Sequence, residues 1–460
     1  MFLKIPFSIS GIYLQCLCTI LMSSSNLAGG IFSSWPSQTL PLLLSSDSPL
    51  ASGPITQLEA SYMVSISYAG GVIGSLAIGY VPTKYGRKMP FIVTSLISLL
   101  SCLLIVFATN VYCILVSRFL CGISGGTSRV ILPTYICEIC EKKFRGAFGL
   151  LSLIFFSLGV SLGSIICEYL NFYTVPYVPL TFYLLSLLLI LFPDSPQTLM
   201  LQKNLELAEK SIRFYRRNVS EEKILEEFRE MKQSIDNSGE TVTLQDFQSR
   251  AVVKALIIVT ILVSTRNFSG INTIGAYSGI ILSQIKVSVD LNEIISWFFT
   301  IQLFGSVATT FAVDTIGRRF TLMTGLVGNT LFLTIFGSCF YSQGGLDDWI
   351  LIASFLGIST TGIVLINMPA VIYPEILPVK LRNAVGSILI TLQLLEGLFL
   401  VQFYIPASNA FGTHSCMFAF AAWNVLALIV MWIMLPETKK KSTDEILEKL
   451  DKKIIPCCSK

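Results

Sequence analysis

Residues 138–146, Glu-Ile-Cys-Glu-Lys-Lys-Phe-Arg-Gly, and residues 375–383, Glu-Ile-Leu-Pro-Val-Lys-Leu-Arg-Asn, carry the same acid and the same arginine seven residues apart. Glu138 and Arg145 recur as Glu375 and Arg382 at one offset, 237 residues. Each pair follows a long apolar run. Gly86-Arg87-Lys88 recurs 231 residues on as Gly317-Arg318-Arg319, and Pro193-Asp194-Ser195 recurs 243 residues on as Pro436-Glu437-Thr438. One such match is within reach of chance. Three in register divide the chain into two halves that repeat each other.

The repeat is built from apolar runs. A bilayer core takes about 20 apolar residues per helix. Twelve stretches qualify: 11–33, 60–80, 90–108, 111–137, 146–170, 175–193, 252–284, 291–314, 319–341, 349–374, 382–404 and 414–435. Apolar residues are 53% of the chain and charged residues 13%, roughly half the usual charged share, which leaves no charge for a water-facing skin. The first run is too long for a secretory signal and lacks a small-residue cleavage site, so it reads as the first span. With loops assigned alternately to the two sides, 28 of the 32 lysines and arginines fall on one side. Lys286 alone falls on the other, and Arg118, Arg129 and Arg266 lie inside spans. That asymmetry places both termini in the cytoplasm. The reading is an all-α membrane protein of twelve transmembrane helices, two six-helix bundles in parallel pseudo-repeat. Its parts are an N-terminal bundle (1–200), a cytoplasmic helical linker (201–251), a C-terminal bundle (252–436) and a cytoplasmic tail (437–460). Within 204–233, Leu205, Ala208, Ile212, Phe214, Tyr215, Ile224, Leu225, Phe228 and Met231 recur at helical spacing among charges. That predicts two or three short amphipathic helices under the bundle.

Several function classes fall away. A net charge of +4 on 460 residues is no nucleic-acid footprint. The single histidine, His414, leaves little for zinc or general-base chemistry, so no enzyme, metal or cofactor is expected. Most cysteines sit singly in apolar runs and read as small hydrophobes, with no disulfide framework. Cys137-x-x-Cys140, at a span end, reads as packing thiols. Cys457-Cys458 is a pattern that palmitoylation accepts. Asn218 and Asn267 head glycosylation triplets on the cytoplasmic side and within a span, and should stay bare. Gly70, Gly71, Gly74, Gly122, Gly125 and Gly126 fit close helix packing.

From end to end the chain resembles the sugar porter family of the major facilitator superfamily. The resemblance is carried by Arg118-Phe119-Leu120-Cys121-Gly122, Pro133-Thr134-Tyr135, Glu138, Arg145-Gly146, Pro193-Asp194-Ser195-Pro196 and Ser269-Gly270-Ile271-Asn272. Asp314, Gly317-Arg318-Arg319, Glu375, Arg382 and Pro436-Glu437-Thr438-Lys439 complete it. The first external loop, with Trp35-Pro36, Ser48-Pro49-Leu50, Thr56 and Glu59, is similar to that of insect facilitated trehalose transporters. The resemblance implies alternating access with solute bound near the midplane. It also implies gating at the cytoplasmic helix ends by Arg87, Arg118, Glu138, Arg145, Asp314, Arg318, Glu375 and Arg382, whose charges would pair across the two halves when the cytoplasmic side is closed. One acid is missing: the family's loop two has a carboxylate where this chain has Thr83.

The central site departs further. Ionisable and polar residues inside spans are expensive and mark function. A sugar needs amides and hydroxyls that donate and accept. The family pattern of two glutamines, Ser-Gly and Asn on span seven reads here Arg266, Asn267, Phe268, Ser269, Gly270, Ile271, Asn272. Tyr277 stands at a family tyrosine and Gln302 at a family asparagine. Leu153, Ala370 and Gln393-Leu394 replace a glutamine, a tryptophan and an Asn-Trp pair, with Asn367 and Pro369 beside Ala370. The expected solute-binding set is Arg266, Asn267, Asn272, Tyr277, Gln302, Asn367, Gln393 and Glu396. Gln393 and Glu396 share a helix face. Arg266 is expected to pair with Glu396, since a lone buried arginine is costly. Alternatively, Arg129 and Arg266 hold an anionic solute from opposite halves. Residues 8–35 contain no acid, which favours facilitated diffusion over proton coupling. The expectation is a monomeric plasma-membrane uniporter for a small sugar, with the lipid bilayer as its surroundings. A carrier of an anionic or non-sugar solute and a non-transporting sensor are the alternatives.

Overall fold

A computed structural model of the protein describes residues 10–80, 86–141, 143–237, 247, 249–285, 289–342, 347–439, 441 and 443–451. The side chains of residues 79, 80, 234–237, 379, 380, 382–384 and 444 are outside the description. Thr83, Lys286, Cys457, Cys458 and the Arg382 side chain therefore lie outside the described residues. The described chain is helical, without strands. The first half holds α1 (Gly11–Leu44), α2 (Gln57–Tyr80), α3 (Lys88–Val106), α4 (Val111–Ile139), α5 (Arg145–Tyr169) and α6 (Tyr177–Ser186). The linker helices are α7 (Pro196–Leu201), α8 (Leu205–Tyr215) and α9 (Glu221–Asn237). The second half holds α10 (Arg250–Phe268), α11 (Ile271–Leu282), α12 (Leu291–Thr315), α13 (Arg318–Tyr341), α14 (Asp348–Ile376), α15 (Val379–Phe411) and α16 (Thr413–Met434), followed by α17 (Thr443–Asp451).

Among the described residues, eleven helical segments are long and apolar enough to cross a membrane, with α10 and α11 forming one of them. The shorter apolar segment Tyr177–Leu191 makes the twelfth. Its last turn, Leu187–Leu191, is a 3-10 helix. Lys88 Nζ donates to the carbonyls of Ile190 at 2.9 Å and Phe192 at 2.5 Å, satisfying acceptors that the tightened turn leaves open. Leu96, Leu100, Phe107, Trp432 and Ile433 are exposed. In water such residues would invite aggregation, whereas in lipid they are what a span must present.

The chain forms two compact units. The first comprises Met1–Ser33, Pro49–Gly53 and Ile66–Thr241; the second comprises Ser34–Ser48, Pro54–Ser65 and Val242–Lys460. In the first unit, α2 and α4 meet backbone to backbone. A Cβ on Gly122 would lie 2.1 Å from the Ser67 carbonyl, and one on Gly126 2.1 Å from that of Gly71. Gly125, expected to pack likewise, has nothing within 4 Å. Serine hydroxyls join α3 to α4, with Ser101 and Ser117 3.0 Å apart. The periodic stretch 204–233 forms two amphipathic helices, α8 and α9. Buried Arg216 ties them to α4, donating to Glu227 at 2.8 Å and to the Ile139 carbonyl at 2.8 Å.

The second unit contains the outer end of α1 and the first turns of α2. Thr56 and Glu59 form a capping box there: the Thr56 amide donates to Glu59 at 2.8 Å and the Glu59 amide to Thr56 Oγ1 at 3.2 Å. Ser61 donates to the Gln402 carbonyl at 2.8 Å. The tail helix α17 buries Ile446 and Leu450 against this unit's core, and Lys254 Nζ donates to the Leu450 carbonyl at 2.6 Å.

Candidate solute site and repeated charge clusters

The three repeated motifs converge twice, once in each half. In the first, Arg87 Nε donates to Glu138 at 2.8 Å. The other Glu138 oxygen accepts from Ser195 Oγ and, at 3.3 Å, from Thr198 Oγ1. Ser195 also caps α7. In the second, Arg318 donates to Glu375 through Nε at 3.1 Å and Nη2 at 3.0 Å, and Thr438 Oγ1 donates to the other oxygen. The 231-, 237- and 243-residue offsets are thus one cluster built twice. The turn before each arginine is a glycine of positive φ, +75° at Gly86 and +115° at Gly317. A Cβ at Gly86 would lie 3.3 Å from Asp194, and one at Gly317 3.1 Å from Glu437. That closeness makes the glycine part of the motif.

The ion pairs Arg87–Glu138 and Arg318–Glu375 each lie within one half. Asp314 is largely exposed, 3.5 Å from Arg318. Arg145 Nε caps the end of α4, donating to the Cys140 carbonyl at 3.1 Å. Arg118 is buried seven residues into α4 from its Val111 end, where Nη1 donates to the Phe32 carbonyl at 2.7 Å. The repeat-equivalent acids Asp194 and Glu437 behave oppositely. Burial pushes the Asp194 carboxyl up, against the Ser195 amide and Lys88. Burial also acts to raise Glu437, but amides of Lys439, Arg318, Arg319 and Thr438 outweigh it and hold that carboxyl below the usual range.

In the second half, span seven is not the continuous helix expected. It breaks at Ser269-Gly270, with Gly270 at φ +83°, into α10 and α11. Polar side chains gather at the break. Asn267 Nδ2 donates to the Gln393 carbonyl at 2.6 Å and reaches Glu396 at 3.5 Å. Ser264 Oγ donates to Glu396 at 2.5 Å, and Asn329 Nδ2 to the Ser269 carbonyl at 3.0 Å. Asn272 Nδ2 is held loosely, 3.4 Å from Asn267. The expected Arg266–Glu396 ion pair does not form. Arg266 Nη1 donates instead to the Ile366 carbonyl at 3.0 Å, and Glu396 takes neutral donors. Pro369 withdraws the N–H that would meet the Leu365 carbonyl of α14, and the guanidinium takes the Ile366 carbonyl beside it as a neutral partner. Tyr277, expected to meet solute, is fully buried, stacked 5.2 Å from Tyr404 and donating to the Val401 carbonyl at 3.0 Å. Gln302, Asn367 and Gln393 are half-buried, and among the described residues their side-chain amides have no hydrogen-bond partner. Ser264, Asn329, Ser195, Thr198 and Thr438 were not singled out as site residues. For Ser195 and Thr438, the 243-residue repeat was the available signal.

A model of the family described as "Sugar (and other) transporter" matches residues 24–450. The chain belongs to that family. Facilitated trehalose transporter Tret1 of Polypedilum vanderplanki is 26% identical over 454 residues, 95% of this chain and 88% of that protein. The Aedes aegypti protein of the same name is 26% identical over 456 residues, but this transporter spans only 55% of its length. Among solved structures, the inward-open xylose transporter XylE from E. coli superposes with a TM-score of 0.77 at 22% identity, over 94% of this chain and 98% of that one. That likeness establishes the twelve-helix fold, and membership of the family makes the chain a multi-pass membrane transporter rather than an enzyme.

Proposed function

We propose that this transporter moves a small sugar, trehalose or a hexose, down its gradient across the plasma membrane by alternating access. The observation that carries the reading is the set of three amides, Gln302, Asn367 and Gln393, that the protein leaves without partners. These amides are half-buried, and they donate and accept as a sugar's hydroxyls require. Asn272 joins them, while Asn267, Glu396 and Arg266 shape the break in span seven. Tyr277 packs behind it. The names of the relatives support a sugar, and the absence of acids in residues 8–35 supports uniport. The halves 1–200 and 252–436 act as the two moving bodies, joined by the linker 201–251 and followed by the tail 437–460. Both termini are cytoplasmic, and one chain is the working unit. The clusters around Glu138 and Glu375, with Arg87, Arg318, Arg145, Arg118, Asp314 and Arg382, set the balance between the two facing states.

Uptake of labelled trehalose and glucose into proteoliposomes at two external pH values tests this. Saturable uptake indifferent to a pH gradient is expected. Surface-competent protein that carries neither sugar, nor any other hydroxylated solute, overturns the reading.

A further inference from the structure

Three arginines lie inside spans, and two of them meet backbone carbonyls. Arg118 donates to Phe32 and Arg266 to Ile366. Arg129 differs. Among the described residues its side chain makes no hydrogen bond or ion pair, and it is exposed. It lies nine residues before Glu138 on α4, about 14 Å along the axis at the α-helical rise. An extended side chain does not bridge that depth to the cytoplasmic cluster. A guanidinium stays charged at any accessible pH, so it does not escape by losing its proton. It does not face hydrocarbon without great expense, so accessibility at this depth means contact with water.

Within the first-half spans 11–33, 60–80, 90–108, 111–137, 146–170 and 175–193 the one acid is Glu168, in the last turn of α5. On α4, Gly125, one turn before Arg129, has nothing within 4 Å of where its Cβ would be. Pro133, one turn after, is also exposed. The charge stands on an exposed strip of α4 between Gly125 and Pro133, with Tyr68 of α2 as an electrostatic neighbour. An arginine that only held helices together would bond a carbonyl, as Arg118 and Arg266 do.

We infer that Arg129 is a specificity-determining residue that binds the carboxylate of a sugar acid, so that the transporter carries hydroxylated monocarboxylates in preference to neutral sugars. The planar guanidinium matches a carboxylate through two parallel N–H donors. One arginine balances one negative charge, which favours a uronate or aldonate over a phosphate dianion. The inference rests on the sugar reading and refines it.

The test uses purified full-length protein in proteoliposomes, with labelled D-glucuronate and D-glucose as probes. Wild type is expected to take up glucuronate saturably, with glucuronate uptake rising when the lumen is made electrically positive and glucose uptake not responding. In Arg129→Gln the glucuronate-to-glucose uptake ratio should fall at least tenfold, and Arg129→Lys should restore part of it. If Arg129→Gln does not fold, competition in wild type decides: glucuronate should inhibit glucose uptake more strongly than unlabelled glucose does. Glucose uptake with glucuronate neither carried nor competing overturns this inference and leaves the sugar reading standing. So does an unchanged ratio in a folded Arg129→Gln variant, which would make Arg129 a merely hydrated charge. Carriage of neither probe nor of any other hydroxylated solute overturns both.

Discussion

Glu138 and Glu375 occupy the same place in the repeat, so Glu→Gln at each is a matched perturbation. The Glu138 side chain is 7% exposed and that of Glu375 is 27% exposed. Both accept from an arginine, but Glu138 takes two hydroxyls, Ser195 and Thr198, where Glu375 takes Thr438 alone. Glutamine keeps the volume, removes the charge and turns an acceptor oxygen into a donor. At 138 this leaves Arg87 beside a neutral amide and aims an N–H at groups that themselves donate. A hydrogen bond to a charged group contributes about 1.5–3 kcal/mol. The deeper site should therefore lose about 3 kcal/mol and the solvent-screened one about 1.5 kcal/mol. At about 2–4 °C per kcal/mol for a body of this size, Glu138→Gln lowers the unfolding midpoint by about 6–12 °C and Glu375→Gln by about 3–6 °C. The chain carries its own reporters. Eight of the ten described free cysteines are in the first unit, so a thiol-reactive fluorophore follows that unit's unfolding. All five tryptophans (Trp35, Trp297, Trp349, Trp423 and Trp432) are in the second, so intrinsic fluorescence follows the other. Glu138→Gln should move the thiol transition most, and Glu375→Gln the tryptophan transition. A larger shift for Glu375→Gln, or a thiol transition moved by less than about 2 °C in Glu138→Gln, would refute the claim that burial ranks the two clusters.

Gly270→Ala should abolish most uptake and cost about 1–3 kcal/mol, because the residue needs positive φ and a Cβ would lie 2.6 Å from the Phe420 ring; uptake and tryptophan melting read both effects. Gln302→Ala and Gln393→Ala should each raise the apparent KM about tenfold, the equivalent of one lost hydrogen bond, with the melting midpoint unchanged. Tyr277→Phe should do the reverse, lowering the midpoint with KM constant, since its hydroxyl bonds the Val401 carbonyl. The depressed Glu437 carboxyl contributes stability that is present above the ordinary glutamate range and lost as pH falls through its folded value. Glu437→Gln should thus melt below wild type at pH 7, and the two should converge on acidification; a gap that persists at the lowest accessible pH contradicts the assignment.

The corners were legible in the sequence because local covalent geometry fixes them. A glycine of positive φ must precede Arg87 and Arg318, a cap must open α7 at Ser195, and an acid must end the spans that close on them. Each requirement leaves a residue type at a set distance, and the duplication prints the set twice. The twelve spans were legible for a similar reason, since lipid tolerates one composition. Offsets along a chain do not say which neighbour a helix end meets, so the pairs within each half, Arg87 with Glu138 and Arg318 with Glu375, were not legible. Tyr277 shows the limit more sharply: its position in the pattern is right, yet its ring points into a stack with Tyr404, a matter of helix rotation that no spacing encodes.

The Arg266–Glu396 expectation failed for a further physical reason. Charge balance argued for a pair, and balance is a sound rule where only charged partners are in reach. Broken and proline-containing helices change what is in reach. Pro369 lacks the N–H that would engage the Leu365 carbonyl in α14, Arg266 reaches the adjacent Ile366 carbonyl, and Ser264 and Asn267 meet α15. Arg266 and Glu396 thus find neutral partners one residue away from the pairing that sequence logic prefers. The same rule, applied to Arg129, finds no such substitute: α4 leaves it neither a carbonyl nor an acid. Arg266 and Arg129 look alike on the page, and only the surrounding backbone separates a charge the fold has absorbed from one it has left for a solute.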